Sequence, residues 1–194
     1  MRFRPNHFWS LWIATALSNL SDGIFKLALP LLALHLTNSP ALVAGVAFAV
    51  RLPWLLFALP VGVFADYFDR RLMMIRADFV RVIILIILIV CMSLNMMTIP
   101  LIYLVAFLLG IAETFADTAA SSILPAIIDK SELERANTRL VGVITVTNEF
   151  IGPPLGGAIA AVSLLLSFAT SSALYFVATL ALLTISGSFR TSHS

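Results

Sequence analysis

A charged segment between two long apolar stretches is the feature that most constrains this chain. Five ionisable residues fall within residues 66–76. The stretch 45–65 before them holds a single charge, Arg51. The run Val82–Val90 after them consists entirely of valine, isoleucine and leucine. Because ionised side chains are costly in hydrocarbon, this segment predicts a return to water between two membrane spans.

Composition supports lipid as the solvent of the fold. Hydrophobic residues make up 60% of the chain and charged residues 11%, whereas a soluble domain has about half and about a quarter. We therefore predict an all-α integral membrane protein with the lipid bilayer as a partner. A net charge of +2 with no basic stripe argues against nucleic acid. The first apolar stretch is also too long for a signal peptide, whose apolar region has roughly 7–15 residues.

Apolar stretches separated by short polar breaks predict six membrane spans within one domain, residues 1–194. Each is about as long as the roughly 20 residues that a bilayer core requires. The predicted spans are Phe8–Leu34, Ala41–Ala65, Met73–Leu94, Pro100–Ile123, Leu140–Val162 and Phe168–Ser186.

Basic residues in the loops predict the orientation of the chain. They occur at the two termini and in the loops after the second and fourth spans, and the other loops have none. This asymmetry predicts that both termini lie in the cytoplasm. We expect a multi-pass protein of the inner (plasma) membrane. The residues concerned are Arg2, Arg4, Arg70, Arg71, Arg76, Lys130, Arg135, Arg139 and Arg190.

Five charged residues fall inside the predicted spans: Asp22, Lys26, Arg51, Glu113 and Glu149. Each costs at least about 2.5–3.5 kcal/mol at mid-membrane, so they must face one another or a wet cavity. One reading is structural pairing, Asp22 with Lys26 and Arg51 with Glu149. The other is a proton and substrate pathway, in which Glu113, without a basic partner at its depth, is the best proton carrier.

The spans show a weak internal symmetry. Spans 1 and 4 each carry an ionisable pair at i,i+4, which is Asp22 with Lys26 and Glu113 with Asp117. Spans 2 and 5 are rich in glycine and proline. Spans 3 and 6 are apolar at their centres and are predicted to be peripheral, with Asp78 and Arg81 of span 3 snorkelling to the cytoplasmic surface. The matching features predict a 3+3 inverted repeat.

Two motifs carry a resemblance to a known family. Gly62, Asp66, Arg70 and Arg71 resemble the signature loop of the major facilitator superfamily, and residues 152–157 resemble a second signature, typical of proton-coupled exporters. Residues 134–137 and 148–150 are similar to the macrolide- and siderophore-exporter branch in bacteria.

The resemblance implies a twelve-helix transporter of which this chain is the N-terminal half. The chain is then a fragment, a half that pairs with a second six-helix polypeptide, or a homodimer. The implied activity is efflux of a small-molecule substrate by antiport with protons, without a cofactor or metal.

The resemblance also assigns site residues. It implies a cytoplasmic latch, in which Arg70 pairs with Asp117 and Asp66 faces a helix N-terminus of the second half. The latch residues are Gly62, Asp66, Arg70, Arg71 and Asp117. A second group, in span 5, is expected to allow close helix packing and a bend; it consists of Gly152, Pro153, Pro154, Gly156 and Gly157.

Two alternatives remain open at this point. Asp66 and Asp69 are three residues apart at a membrane edge, a spacing that also occurs in intramembrane, metal-dependent phosphotransferases with six spans. A non-transporting membrane scaffold is the other alternative, although it gives no use for the buried charges.

Overall fold

The computed structural model describes residues 5–185, apart from the side chains at positions 5, 6 and 66. Within this range the chain forms six helices and no strand, which confirms the prediction of an all-α chain. They are α1 (Pro5–Leu34), α2 (Pro40–Tyr67), α3 (Arg70–Ser93), α4 (Ile99–Ile127), α5 (133–162) and α6 (Leu164–Leu183).

Polar caps and prolines in the connecting segments fix where the helices begin. Asp69 caps α3 by accepting hydrogen bonds from the backbone of Arg71 and Leu72. Thr98 and Ser163 cap α4 and α6 through their hydroxyl oxygens. These side chains satisfy amide groups that have no partner within the first helical turn.

Each predicted span corresponds to one helix, with shifted ends. The largest shift is in α5, which begins at Leu133 rather than Leu140, so that most of the charged connector before it is helical. Helix α6 begins at Leu164 rather than Phe168, and its predicted end, Ser186, lies outside the described residues, as do Arg2, Arg4 and Arg190.

Helix α5 has three parts. It runs as an α-helix over Leu133–Thr145, widens to a π-helix over Val146–Ile151, and continues as an α-helix over Gly152–Val162. Pro153 and Pro154 follow one residue after the π-helical stretch, behind Gly152. Proline has no backbone N–H to donate, so the regular α-helical bonding pattern cannot continue through this point.

Within residues 5–185, four segments are long and apolar enough to cross a membrane by length and composition: His7–Leu34, Pro40–Ala65, Ile99–Ile127 and Leu164–Leu183. Helix α3 does not meet this measure, since Arg76, Asp78 and Arg81 lie in its first half. The π-helical stretch divides α5 into shorter pieces.

Helix α1 packs against α5 and α6, and α4 packs against α2 and α3. Helices α3 and α6 also contact each other, as do α1 and α4. Two apolar clusters fill the two ends of the bundle, one around Phe25 and Ile102 and the other around Leu11 and Ile123. Buried polar side chains lie between them.

Candidate functional site

A fully buried arginine, Arg81, is the centre of the first polar cluster. Its Nη1 atom lies 3.1 Å from Asp78 Oδ1 and 3.7 Å from Asp22 Oδ2, and it donates a hydrogen bond to Ser18 Oγ at 2.7 Å. The guanidinium lies 4.9 Å from the centre of the Tyr175 ring. The Tyr175 hydroxyl in turn donates to Asp22 Oδ1 at 2.5 Å. We refer to these five residues as the arginine cluster.

The arginine cluster corrects two predictions. Asp78 and Arg81 do not snorkel to a surface, because α1 and α6 cover them and supply their partners. The prediction that α3 and α6 are peripheral is also wrong, since they contribute Arg81 and Tyr175 to the buried network. A charged pair on one helix can be buried when it is ion-paired and neighbouring helices supply further hydrogen bonds, here from Ser18 of α1.

A second polar cluster joins α1, α4 and α5. Lys26 Nζ lies 2.6 Å from Glu113 Oε1 and donates a hydrogen bond to Asn148 Oδ1 at 3.0 Å. Asn148 Nδ2 donates to Asn19 Oδ1 at 3.0 Å, and Asn19 Nδ2 donates to Asp117 Oδ1 at 3.5 Å. We refer to these five residues as the lysine cluster.

The lysine cluster overturns the predicted pairing of the charges in α1. Lys26 does not pair with Asp22, although the two are one turn apart; it pairs with Glu113 of α4. The expectation that Glu113 has no basic partner at its depth is therefore wrong. The physical reason is that α1 and α4 pack against each other, so that Lys26 reaches a carboxylate on the facing helix.

Ser18, Asn19, Asn148 and Tyr175 belong to these clusters and were not predicted as site residues from the sequence. A detectable signal existed for the two asparagines, because an amide within an apolar helix requires a hydrogen-bonding partner. Tyr175 gave no such signal, since tyrosine is frequent in membrane helices near the interfaces, where it needs no buried partner.

The expected pair of Arg51 and Glu149 is formed, with Arg51 Nη2 at 3.5 Å from Glu149 Oε1. The two side chains are 69% and 51% exposed, so they are open to the surroundings of the bundle. They lie at the mouth of a cavity of about 460 Å³. Its lining includes Lys26, Glu113, Asp117 and Asn148, together with apolar residues of α2 that include Phe48, Trp54 and Leu55.

The residues of the signature loop have contacts within the chain. Arg70 is buried, and its Nε donates to the carbonyl oxygen of Ala65 at 3.2 Å. Arg71 donates to the carbonyl oxygens of Leu182 and Leu183 at 2.9 and 3.1 Å, which places a cation at the C-terminus of α6. Such a position is favourable because carbonyl groups without partners point out of a helix at that end.

The remaining latch predictions are not decided by these contacts. Asp117 accepts a hydrogen bond from Asn19, and its pair with Arg70 stays a prediction. The side chain of Asp66 lies outside the described part of the chain. A Cβ atom added to Gly62 would meet no atom within 4 Å, so packing within the described residues does not require a glycine there.

Two glycines in α5 lie in close contact with the backbone of α1. A Cβ atom added to Gly152 would lie 2.6 Å from Gly23 Cα of α1. One added to Gly156 would lie 2.7 Å from the carbonyl oxygen of Ile24. At Gly157 the nearest atom is a methyl group of the Leu27 side chain at 3.1 Å, so this contact is less restrictive. Helices α1 and α5 are thus in backbone contact beside the lysine cluster.

Comparison with protein families assigns the chain. A family model described as transmembrane secretion effector matches residues 2–193. The chain belongs to this family. Membership supports a membrane transporter of the major facilitator type and favours it over an enzyme, and it accords with the four apolar helices. A search of curated proteins finds no match.

Proposed function

We propose that the chain is a six-helix half of a proton-coupled exporter of small lipophilic or amphipathic compounds, working within a twelve-helix assembly. It lies in the inner membrane with both termini in the cytoplasm. The observation that carries the proposal is the cavity of about 460 Å³ among α1, α2, α4 and α5, in which ionised pairs face an apolar wall. Charges are retained inside a membrane protein where they serve a substrate or ion path.

The helix packing supports a 3+3 inverted repeat. Exchanging the first three helices for the last three turns the contact of α1 with α6 into that of α4 with α3. The same exchange turns the contact of α1 with α5 into that of α4 with α2. Matching contacts of α1 and α4 with the helices of the other triplet are what repeated units related by a pseudo-twofold axis produce.

The open side of the cavity supports a second six-helix half. Phe48, Trp54 and Leu55 of α2 line the cavity and are 63%, 66% and 73% exposed. Beside them the Arg51–Glu149 pair is exposed as well. A second copy of this chain, or another polypeptide, would close this side and convert the open cavity into an enclosed path for a substrate.

Proton coupling is assigned to the contact of Glu113 with Lys26. A proton that binds Glu113 removes its negative charge and thereby the attraction to the Lys26 ammonium, 2.6 Å away. Lys26 retains its hydrogen bond to Asn148 of α5. Protonation therefore weakens the attachment of this cation to α4 and leaves its attachment to α5. Protonation is thus linked to the relative position of α1 and α4, which is the linkage that alternating access requires.

Glu113→Gln tests this coupling, because glutamine keeps the shape of the side chain and cannot exchange a proton. Inside-out vesicles that contain the protein are energised by respiration, and uptake of a fluorescent amphipathic dye is measured with and without a protonophore. We expect uptake by the wild type to be protonophore-sensitive and to fall about 100-fold or more in the variant, the lower end of the loss for a positioned proton-transfer group.

The matched control is Glu134→Gln, which removes an exposed carboxylate from the first turn of α5 and should leave uptake unchanged. Wild-type uptake that resists the protonophore, or full uptake by Glu113→Gln, would refute proton coupling at this residue. Uptake no higher than that of vesicles without the protein would refute transport.

The cytoplasmic latch remains part of the proposal. Asp66 lies in the last turn of α2, close in sequence to the first turn of α3, where Arg70 and Arg71 donate hydrogen bonds to α2 and α6. A carboxylate there can face the N-terminus of a helix in the second half, where the helix dipole favours negative charge. We expect Asp66→Asn to insert normally and to lower dye uptake; uptake equal to that of the wild type would contradict the latch.

A further inference from the structure

A groove runs along the side of the bundle between α2 and α3. These two helices both pack on α4 but make almost no contact with each other. The groove has a volume of about 360 Å³ and shares none of its lining residues with the cavity at the lysine cluster. It is therefore a separate site that the proposed transport path does not use.

Small side chains on its floor and aromatic rings on one wall give the groove its shape. Ala77 of α3 and Ala112 of α4 are each 6% exposed and leave room where larger side chains would fill the space. Phe64 stacks on Phe68 with ring centres 5.7 Å apart and contacts Phe115 at 6.4 Å. The result is an apolar slot that is open on its outer side.

One end of the groove carries a cation. Of the described side chains that line it, Arg76 is the one charged group. It is exposed, and no ion pair or hydrogen bond of its side chain occurs within residues 5–185. The lining continues along α3 to Ile84, about 12 Å further at 1.5 Å per residue.

We propose that this groove binds an anionic phospholipid, with the phosphate at Arg76 and one acyl chain in the slot. The occupant must have a negative head and an apolar body about as long as the slot, and both requirements follow from the lining. A phospholipid reaches the groove directly from the bilayer, because Arg76 lies about two helical turns from the start of α3, near the basic end of the bundle. Basic residues at this depth attract anionic lipid headgroups.

The test is lipid binding by the full-length protein in mild detergent. The purified chain is titrated with phosphatidylglycerol or phosphatidylcholine of equal chain length, and bound lipid is counted by native mass spectrometry. We expect the wild type to bind phosphatidylglycerol more tightly. Arg76→Gln should lower its affinity about tenfold, as loss of a charge-assisted hydrogen bond does, and should remove the preference over phosphatidylcholine, whose trimethylammonium group offsets the phosphate charge. Val80→Trp, which fills the slot from an exposed position, should weaken both lipids.

Two control variants separate specific binding from general effects. Arg139→Gln removes an exposed arginine at the same end of the bundle, and Ile86→Trp adds an indole to an exposed position of α3 outside the groove. Both should bind lipid like the wild type. Equal affinity for the two lipids, or equal losses in Arg76→Gln and Arg139→Gln, would overturn the proposal. A wild-type dimer that Val80→Trp dissociates would overturn it as well and would assign the groove to a second copy.

Discussion

Replacing Arg81 by methionine tests whether the arginine cluster holds α1, α3 and α6 together. Methionine fills a similar volume and removes the positive charge. Asp22 and Asp78 then remain as two buried carboxylates, with hydrogen bonds from Tyr175 and Ser18 but without a cation. We expect a large loss of stability, because an uncompensated charge in a low-dielectric interior is among the most destabilising changes known.

The distances give the magnitude. With an effective dielectric constant of 20, the attraction is about 5 kcal/mol to Asp78 at 3.1 Å and about 4.5 kcal/mol to Asp22 at 3.7 Å. Lost hydration of the three ions offsets much of this sum. The expected net decrease in the free energy of unfolding is therefore about 3–5 kcal/mol, the range found when one partner of a buried ion pair is removed.

The assay is unfolding of the purified protein in mild detergent by titration with sodium dodecyl sulfate, followed by far-ultraviolet circular dichroism. The decisive comparison is a triple variant that joins Arg81→Met with Asp22→Asn and Asp78→Asn. This variant has no buried charge at the site, so it should recover most of the loss and unfold within about 2 kcal/mol of the wild type. A loss below about 1 kcal/mol in Arg81→Met, as for an exposed pair, would refute the reasoning. So would a triple variant less stable than the single one.

Two further predictions concern helix contacts. Gly152→Ala places a Cβ atom 2.6 Å from Gly23 Cα and should lower the free energy of unfolding by about 1–3 kcal/mol in the same titration. The control Gly142→Ala adds a Cβ atom that meets no atom within 4 Å, so it should not destabilise the protein. Equal effects of the two variants would contradict the close contact. Tyr175→Phe removes the hydrogen bond to Asp22 and should lower the free energy of unfolding by about 1–3 kcal/mol, the penalty for a buried acceptor left without a donor. An unchanged unfolding midpoint would show that this hydrogen bond does not stabilise the protein.

The helices could be predicted from the sequence because their ends are marked locally. Asp69 and Thr98 are capping residues, and proline follows the break at Thr98 within the first turn of α4. The apolar stretches between such breaks are long enough for a bilayer, so their number and approximate limits follow from the residues alone. The predicted start of α5, Leu140, was less accurate, because the charged residues from Leu133 onward have the composition of a connecting loop although they are helical.

The partners of the charged residues could not be predicted, because depth along a helix does not determine which neighbour a side chain faces. Asp22 and Lys26 are one turn apart and on the same side of α1, yet they turn to different helices. Arg81 was assigned to the surface from its position near a span end. The packing of α6 on α3, together with the side chains of Ser18 and Asp22 from α1, buries it. Such contacts depend on which helices are adjacent, information that a single sequence does not contain.

The π-helical stretch in α5 has a consequence for the phase of the helix. A π-turn takes in one more residue than an α-turn, so the residues after Ile151 are rotated by about 100° from where an unbroken α-helix would put them. That rotation is what turns Gly152 and Gly156 towards α1, where no Cβ atom fits. Asn148, which bonds to Lys26, lies within the same wide turn. The angular setting of half of α5 and the anchoring of the buried lysine are therefore fixed by one extra residue in one turn.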